Sequence, residues 1–187
     1  MRFRSILPAL CGSAALLAGP PDPGPARNPA CALGPVAYQT FAEGTYLHLR
    51  ARATVAELAT QAPALAKRLS GILKEAGFQT FGPLLLIQRG ATEDPGKPFD
   101  LEVGLLVPKD TKPFGEAKVR PLAAFPCATT VAAGDFAGEG GQSAFKALFQ
   151  AAAEQGRVPT GEFRELLLFW EHQGSANNLM QFQIGLQ

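Results

Sequence analysis

A chain of 187 residues with 47% hydrophobic side chains is long enough to bury the core of one folded domain. Its 17 basic and 16 acidic residues nearly balance, and no basic stripe follows a helical period, so the sequence predicts no nucleic-acid partner. No segment approaches the roughly 20 apolar residues that a membrane-spanning helix requires, so we expect no stable membrane span.

The N-terminal residues have the layout of a secretory signal peptide. Arg2 and Arg4 precede an apolar run, Ile6 to Leu17, that is too short to span a bilayer. We therefore predict a signal peptide at residues 1–18 and export to the periplasm or the extracellular space. The stretch before Cys11 has some features of a lipoprotein signal, so a lipid anchor at this cysteine is a second, weaker expectation.

The residues after this segment are rich in proline. We interpret residues 19–40 as an extended linker and residues 41–187 as the folded domain. Cys31 and Cys127 would remain after removal of the signal peptide, and an oxidising compartment permits a disulfide between them. The sequence is equally compatible with two unrelated cysteines that act as small apolar side chains.

The first half of the domain reads as strand, helix, strand, strand. Residues 45–53 alternate with period two, which predicts a strand whose polar face carries Tyr46 and His48. A capping box that begins at Thr54 precedes apolar positions spaced three and four apart, which predicts a helix over residues 55–76. Two strand-like runs separated by a turn-rich segment follow, "GPLLLIQR" and "FDLEVGLLV".

The second half repeats this order. A strand with prolines is followed by the helix "QSAFKALFQAAAEQ", the strand "FRELLLFWEHQ" and the last strand "LMQFQIGLQ". Short runs of the two halves match at offsets of 82 and 81 residues, which suggests an internal duplication. We predict an α+β fold in which duplicated strand-helix-strand-strand units form one curved antiparallel sheet, with two main helices on one face and a concave ligand-binding face.

The strand near residue 165 carries the main candidate site residue. Alternation puts Phe163, Glu165, Leu167 and Phe169 on one face, and Leu166, Leu168 and Trp170 on the other. We expect the second set to pack beneath the helices, so that Glu165 faces the open, concave side. A carboxylate in apolar surroundings has a raised pKa unless a cation joins it, which suits a cationic ligand or acid-base chemistry. An ion pair of Glu165 with Arg50 or Arg52 is the alternative.

These motifs, in this order, resemble the gyrase-inhibitor-like small-molecule-binding domains. Such domains also serve as effector-binding domains of bacterial transcription activators and are akin to the SOUL haem-binding fold. The resemblance covers residues 45–187 and implies a pocket for apolar, cationic or aromatic small molecules, with the glutamate of an "RE" motif inside it. That glutamate is Glu165 here, and Leu167 stands where the family often has tyrosine. The matching stretches are "RLSGILKEAGFQTFGP", "FDLEVGLLVP", "KVRPLAAFPCATTVAAGDF", "SAFKALFQAAAEQGRVPTG", "RELLL" and "MQFQIGLQ".

The functional expectation is an exported protein that binds a small hydrophobic or cationic molecule, with Glu165 as the polar anchor. Further lining residues would come from the same strand and from two others: Phe163, Leu167, Phe169, Tyr46, His48 and Glu102. The competing hypothesis is a small-molecule hydrolase in which Glu165 is the general base and Tyr46 supplies the missing aromatic partner. We expect binding rather than catalysis. We also expect no cofactor and no metal, since the two histidines are far apart and neither has a ligand at metal-binding spacing.

Overall fold

The computed structural model describes residues 31–78, 82–92, 94, 96–136, 140–172 and 174–187. The predicted signal peptide, Cys11 and the first part of the predicted linker lie outside these residues. The described chain has the predicted α+β fold, and neither of its helices is long and apolar enough to cross a membrane. The elements are β1 (Cys31–Leu33), β2 (Ala37–Phe41), β3 (Gly44–Ala53), α1 (Val55–Glu75), β4 (Leu84–Arg89), β5 (Phe99–Val107), β6 (Lys118–Leu122), β7 (Phe125–Gly134), α2 (Gly140–Glu154), β8 (Pro159–Phe169) and β9 (Leu179–Leu186).

The strands form a single antiparallel sheet in the order β1-β7-β9-β8-β4-β5-β3-β6, and β2 also pairs with β7. The units β3-α1-β4-β5 and β7-α2-β8-β9 each have the predicted order, and they meet at the central β4–β8 pair. An origin of these units by duplication stays a prediction. The sheet begins earlier than the predicted domain boundary, because β1 and most of β2 lie within the predicted linker.

Each helix packs an apolar stripe on the same face of the sheet. The Thr54 N–H donates to the Glu57 carboxylate (2.8 Å), and Gly77 takes a left-handed conformation just beyond the end of α1. Leu65, Leu69 and Leu73 of α1 lie over β3 and β5, while four residues of α2 lie over β7 and β9: Ala144, Phe145, Leu148 and Ala152. We call this side of the sheet the helix face.

The sheet is strongly curved. β6 and β7 are six strand spacings apart in the sheet, yet Leu122 and Phe125 are separated by only two residues. A flat sheet would hold these strands about 29 Å apart, whereas three residues of extended chain reach at most about 11 Å. The sheet therefore curves until its edges approach. The concave side is opposite the helices, and we call it the inner face. Tyr46 and Ile87 on this face are fully buried, although no described helix covers them.

Of the two interpretations that the sequence left open for Cys31 and Cys127, the structure is incompatible with the disulfide. Cys31 on β1 pairs with Gly134 of β7, and Cys127 lies seven residues earlier on β7, next to Gln39 of β2. At about 3.3 Å per residue, this separation is about 23 Å along the strand. A disulfide requires Cα atoms within about 7 Å, so both thiols are free. Burial raises the pKa of the Cys127 thiol to about 11, which is consistent with a small apolar role for this side chain.

Candidate ligand-binding cleft

A cleft of about 510 Å³ opens on the helix face, in the gap between α1 and α2. Its floor is formed by three neighbouring strands, β4, β8 and β9. The volume falls within the range of small-molecule sites. Its described lining is almost entirely apolar and consists of Leu58, Ala59, Ala62, Pro63, Ala66, Leu84, Leu86, Phe136, Gly141, Glu165, Leu167, Trp170, Met180 and Phe182.

Glu165 is the one ionisable residue among the described residues that line this inter-helix cleft. It stands at the centre of the floor, between Leu86 of β4 and Phe182 of β9. Burial raises the pKa of Glu165 to about 7, and a hydrogen bond from the Gln88 amide (2.7 Å) partly offsets that rise. The side chain retains some contact with solvent through the cleft. The site therefore holds a carboxyl group that gains or loses its proton near neutral pH.

Gln88 is the direct polar partner of this carboxyl group. It lies on β4, is 1% exposed, and donates from Nε2 to Glu165 Oε1. Its own Oε1 atom is buried and has no hydrogen-bond partner among the described residues. A primary amide donates through nitrogen and accepts through oxygen. Gln88 can therefore donate to the carboxylate or, after a flip of its amide, accept from the protonated acid.

Aromatic rings form one wall of the cleft. Phe136 stacks on Trp170 with the ring centroids 6.3 Å apart, and its centroid lies 5.8 Å from that of Phe182. Trp170 remains 40% exposed, so part of its ring is open to solvent. The electron-rich faces of aromatic rings attract cations. The aromatic wall and the Glu165 carboxylate thus both favour a positively charged ligand.

The predicted orientation of β8 is wrong. Leu166 packs on the inner face with Tyr46 and Ile87, and Leu168 is 42% exposed, so neither lies beneath a helix. Glu165 instead shares the helix face with Leu167. Alternation separates the two sets of side chains but does not determine which set meets the helices. The open space that Glu165 faces is therefore a gap between helices and not the helix-free side of the sheet.

Trp170 reaches the cleft because the strand pairing is irregular. Leu167 pairs with Met180, but Phe169 already pairs with Leu179, so β8 has one extra residue at Leu168. A bulge of this kind reverses the alternation that follows it. Trp170 consequently joins the side of Glu165, although strict alternation assigns it to the opposite side.

The other predicted residues of β8 have different environments. Leu167 lines the cleft as expected. Phe163 is buried against Phe145 and Phe149 beneath α2, so it supports the floor from the side. Phe169 is 51% exposed at the end of the strand and does not line the cleft.

The structure does not bring the three predicted residues from β3 and β5 to Glu165. Tyr46, His48 and Glu102 all lie on the inner face, across the sheet from the cleft. The Tyr46 hydroxyl donates to the Leu85 carbonyl (2.7 Å), and its ring stacks on that of His48. His48 Nε2 lies 3.7 Å from Glu102 Oε1. The expectation that these side chains share one concavity with Glu165 is therefore wrong.

The alternative ion pair with Glu165 is also not formed. Arg50 pairs with Asp100 (2.6 Å), and Arg52 donates to the Pro98 carbonyl (3.3 Å). Both arginines lie on β3 in the β3–β5 pair, on the face of the sheet opposite Glu165. Glu165 consequently has a neutral partner, Gln88, and no described cation beside it.

The residues from α1 were not predicted as site residues. Ala59, Ala62, Pro63 and Ala66 form a row of small side chains along the helix surface that faces the cleft. Small side chains leave room between a helix and the neighbouring elements, so this row is the sequence signal for the gap. Pro63 also lacks an N–H group, which deprives the Ala59 carbonyl of its usual helical donor.

This sheet, with two helices on one face and a cleft between them, has the gyrase-inhibitor-like, effector-binding fold, as the sequence motifs predicted. EcmrR in complex with DNA matches with a TM-score of 0.68 at 16% identity, over 82% of this chain and 57% of EcmrR. The chain thus spans just over half the length of EcmrR. The EcmrR C-terminal domain alone has a TM-score of 0.67 at 16% identity, over 82% of this chain and 97% of the domain.

Two further structures share the fold. SAV2435, solved with bound tetraphenylphosphonium, has a TM-score of 0.58 at 12% identity, over 82% of this chain and 94% of SAV2435. A hydrolase from Listeria innocua has a TM-score of 0.54 at 10% identity, over 81% of this chain and 91% of the hydrolase. No protein-family model matches the chain, and neither does any curated protein sequence. Structural similarity at these low sequence identities establishes the fold, and the function has to be argued from the residues of the cleft.

Proposed function

We propose that this protein binds a small hydrophobic cation in the inter-helix cleft, with Glu165 as its counter-ion. The observation that carries the proposal is one partly buried carboxyl group, with a pKa of about 7, in a cleft otherwise lined by apolar and aromatic side chains. A buried carboxylate without a cationic partner is unfavourable. A ligand that brings a positive charge relieves this penalty and buries its own apolar surface at the same time.

The surroundings of Glu165 favour a cation over a neutral ligand of equal size. The faces of Phe136, Trp170 and Phe182 attract positive charge. SAV2435, a protein of the same fold, is known in complex with tetraphenylphosphonium. That cation is therefore the first probe to use.

The test is calorimetric titration of tetraphenylphosphonium into the wild-type protein at pH 8.5 and pH 5.5. If only ionised Glu165 binds the cation, a pKa of about 7 predicts affinity up to about 30-fold weaker at pH 5.5. Glu165→Gln should bind at least about tenfold more weakly at pH 8.5 and should lose the pH dependence. Tetraphenylborate, an anion of nearly the same shape, should not bind.

The matched control is Glu43→Gln, which removes the same charge from an exposed loop residue between β2 and β3. This variant should bind tetraphenylphosphonium like the wild type. Equal affinity of wild type and Glu165→Gln at pH 8.5 would remove Glu165 as the counter-ion. Equal binding of tetraphenylborate and tetraphenylphosphonium would refute selection by charge.

A second candidate function is hydrolysis of a small electrophile with Glu165 as the general base. The specific observation in its favour is the carboxyl pKa of about 7, which suits proton abstraction near neutral pH. Tyr46 does not serve as its partner, because this side chain is buried on the other side of the sheet. Release of acetic acid from phenyl acetate, or formation of the diol from styrene oxide, that disappears in Glu165→Gln would favour the enzyme. Hydrolysis of both substrates by the wild-type protein at the uncatalysed rate would favour binding alone.

We also propose that the protein is exported, on the basis of the signal-like residues 1–18. Expression of the full chain in a bacterial host tests this point directly. N-terminal sequencing of protein from the periplasmic fraction should give a chain that begins after the apolar run. A chain that keeps Met1 and stays with the cytoplasmic fraction would refute export.

A further inference from the structure

A second cavity, of about 570 Å³, lies on the other side of the sheet from the inter-helix cleft. It occurs where the two-residue link between β6 and β7 closes over the inner face. Residues from the ends of β4, β8 and β9 complete its wall, and its described lining consists of Arg89, Gly90, Arg120, Pro121, Leu122, Ala123, Ala124, Phe125, Pro126, Thr160, Gly161, Glu162, Arg164 and Leu186.

Three arginines converge at this inner-face cavity. Arg89 bridges two glutamates, with Nη1 3.0 Å from Glu102 and Nε 2.6 Å from Glu162. Arg120 reaches Glu102 from β6 at 2.5 Å, and Arg164 reaches Glu162 at 2.6 Å. The cluster thus holds one more positive charge than negative charge.

The positive groups lie nearer to the cavity than the negative ones. All three arginines line it, whereas Glu162 is the one glutamate of the cluster that does so. Glu102 is only 4% exposed and lies behind Arg89 and Arg120. Burial acts to raise the pKa of Glu102, but the Arg120 hydrogen bond and the charges of both arginines hold it below its usual value. Glu102 is therefore ionised and paired with both arginines.

The arginines retain hydrogen-bonding capacity. A guanidinium has five N–H donors in a planar fork, and the described glutamates and carbonyls occupy part of this set on each arginine. The Arg120 Nε atom is buried and has no protein acceptor among the described residues. The side chains of Arg89 and Arg120 remain 32% and 28% exposed, so their free edges are accessible from the cavity.

Apolar side chains form much of the remaining wall. The Arg164 guanidinium lies over the Phe125 ring, 3.6 Å from its centroid, and is itself buried. Gly185 of β9 makes this packing possible, since a Cβ atom there would lie 2.8 Å from the Phe125 ring. Pro121, Leu122 and Pro126 flank the same opening. Arg164 thus braces the wall, while Arg89 and Arg120 present donors.

We propose that this inner-face cavity binds a small organic anion, whose carboxylate accepts hydrogen bonds from Arg89 and Arg120 and whose apolar body packs against the β6–β7 link. Forked guanidinium donors match the two oxygens of a carboxylate, and an added anion balances the excess positive charge of the cluster. This site is independent of the cation proposed for the inter-helix cleft, because the two cavities lie on opposite faces of the sheet.

The experiment is titration of isotope-labelled wild-type protein with sodium benzoate at constant ionic strength, followed by amide NMR shifts and calorimetry. Benzoate should shift the amides of Ala123 and Ala124 in the β6–β7 link. Arg120→Gln should weaken benzoate binding at least about tenfold. The matched control is Arg68→Gln on α1, which removes an exposed arginine that pairs with Glu116, and it should bind like the wild type.

Three results would overturn the proposal. The first is saturation by benzoate without shifts at Ala123 and Ala124. The second is binding of benzoate by Arg120→Gln as tight as that of the wild type, and the third is binding of inorganic phosphate as tight as that of benzoate. The last result would exclude a contribution from the apolar wall. If Arg120→Gln does not fold, the test uses the wild-type protein alone. Benzoate should then shift the amides of Ala123 and Ala124, and benzylammonium should not. Equal shifts with the two compounds would also overturn the proposal.

Discussion

Replacement of Glu165 by glutamine is predicted to stabilise the protein above neutral pH. Burial raises the pKa of this carboxyl group from 4.5 to about 7, so the folded state binds the proton more tightly than the unfolded chain does. The contribution of Glu165 to stability is therefore fully present below pH 4.5. It is lost progressively as the pH rises towards 7, and the loss is complete above that value.

The size of this loss follows from the pKa shift. Each pKa unit corresponds to about 1.4 kcal/mol, so the shift from 4.5 to about 7 sets an upper bound of about 3.5 kcal/mol. Glu165 retains some solvent contact through the cleft, and screening reduces the expected value to about 1–2 kcal/mol. Glutamine keeps nearly the same shape and can still accept the Gln88 hydrogen bond, but it does not ionise.

The assay is urea denaturation of wild type and Glu165→Gln at several pH values between 4 and 8.5, without ligand. The two proteins should have similar free energies of unfolding at pH 4, and the variant should become more stable by about 1–2 kcal/mol as the pH passes 7. Glu43→Gln, at an exposed position, should keep a constant difference from wild type. A constant difference for Glu165→Gln as well would mean that the carboxyl group is not desolvated, which would refute this reasoning.

Further predictions concern the cleft, the sheet and α1. Gln88→Leu removes the hydrogen bond that lowers the pKa of Glu165, so the pH midpoint of cation binding should move upward. Calorimetry measures this midpoint, and an unchanged value would contradict the role of Gln88. Trp170 is the single tryptophan of the chain and lines the cleft, so tetraphenylphosphonium should change its fluorescence, and an unchanged spectrum at saturation would place the ligand elsewhere. Gly104→Ala should destabilise the fold by about 1–3 kcal/mol or more in urea denaturation, because the added Cβ would overlap the Leu47 carbonyl and the Tyr46 ring. Gly71→Ala, at an exposed position in the last third of α1, should instead stabilise the fold by about 0.5–1 kcal/mol, and equal effects of the two changes would refute this packing argument.

Much of the fold could be predicted because its signals are local. The period-two pattern of β3 and the capping box at Thr54 involve residues close in sequence, and both elements form where they were expected. The choice of face for Glu165 depends instead on how distant elements pack. Its neighbours Leu166 and Leu167 are equally apolar, so hydrophobicity alone cannot show which of them lies beneath a helix. The bulge at Leu168 depends on pairing with β9, so the local sequence does not predict it either.

The glycines of β5 and β9 show how a sequence match can have a physical basis. The runs that contain Gly104 and Gly185 correspond at an offset of 81 residues. In the structure, the Tyr46 ring covers Gly104, and the Phe125 ring covers Gly185. Only a residue without a side chain lets a ring lie so close to the strand. The matched motif therefore reflects the same packing requirement in both halves, whatever its evolutionary origin.

The alternation of β8 explains why Glu165 has no cation beside it among the described residues, although its chain neighbour is an arginine. Successive side chains of a strand point to opposite faces, so Arg164 lies on the inner face, where Glu162 neutralises it at 2.6 Å. On the helix face, burial is the main cause that sets the pKa of Glu165, and the neutral Gln88 is its hydrogen-bond partner. A Gln88→Lys variant would place a cation beside Glu165. It should lower the pKa of Glu165 and abolish binding of tetraphenylphosphonium, whereas retained binding would mean that the charge of Glu165 does not hold the ligand.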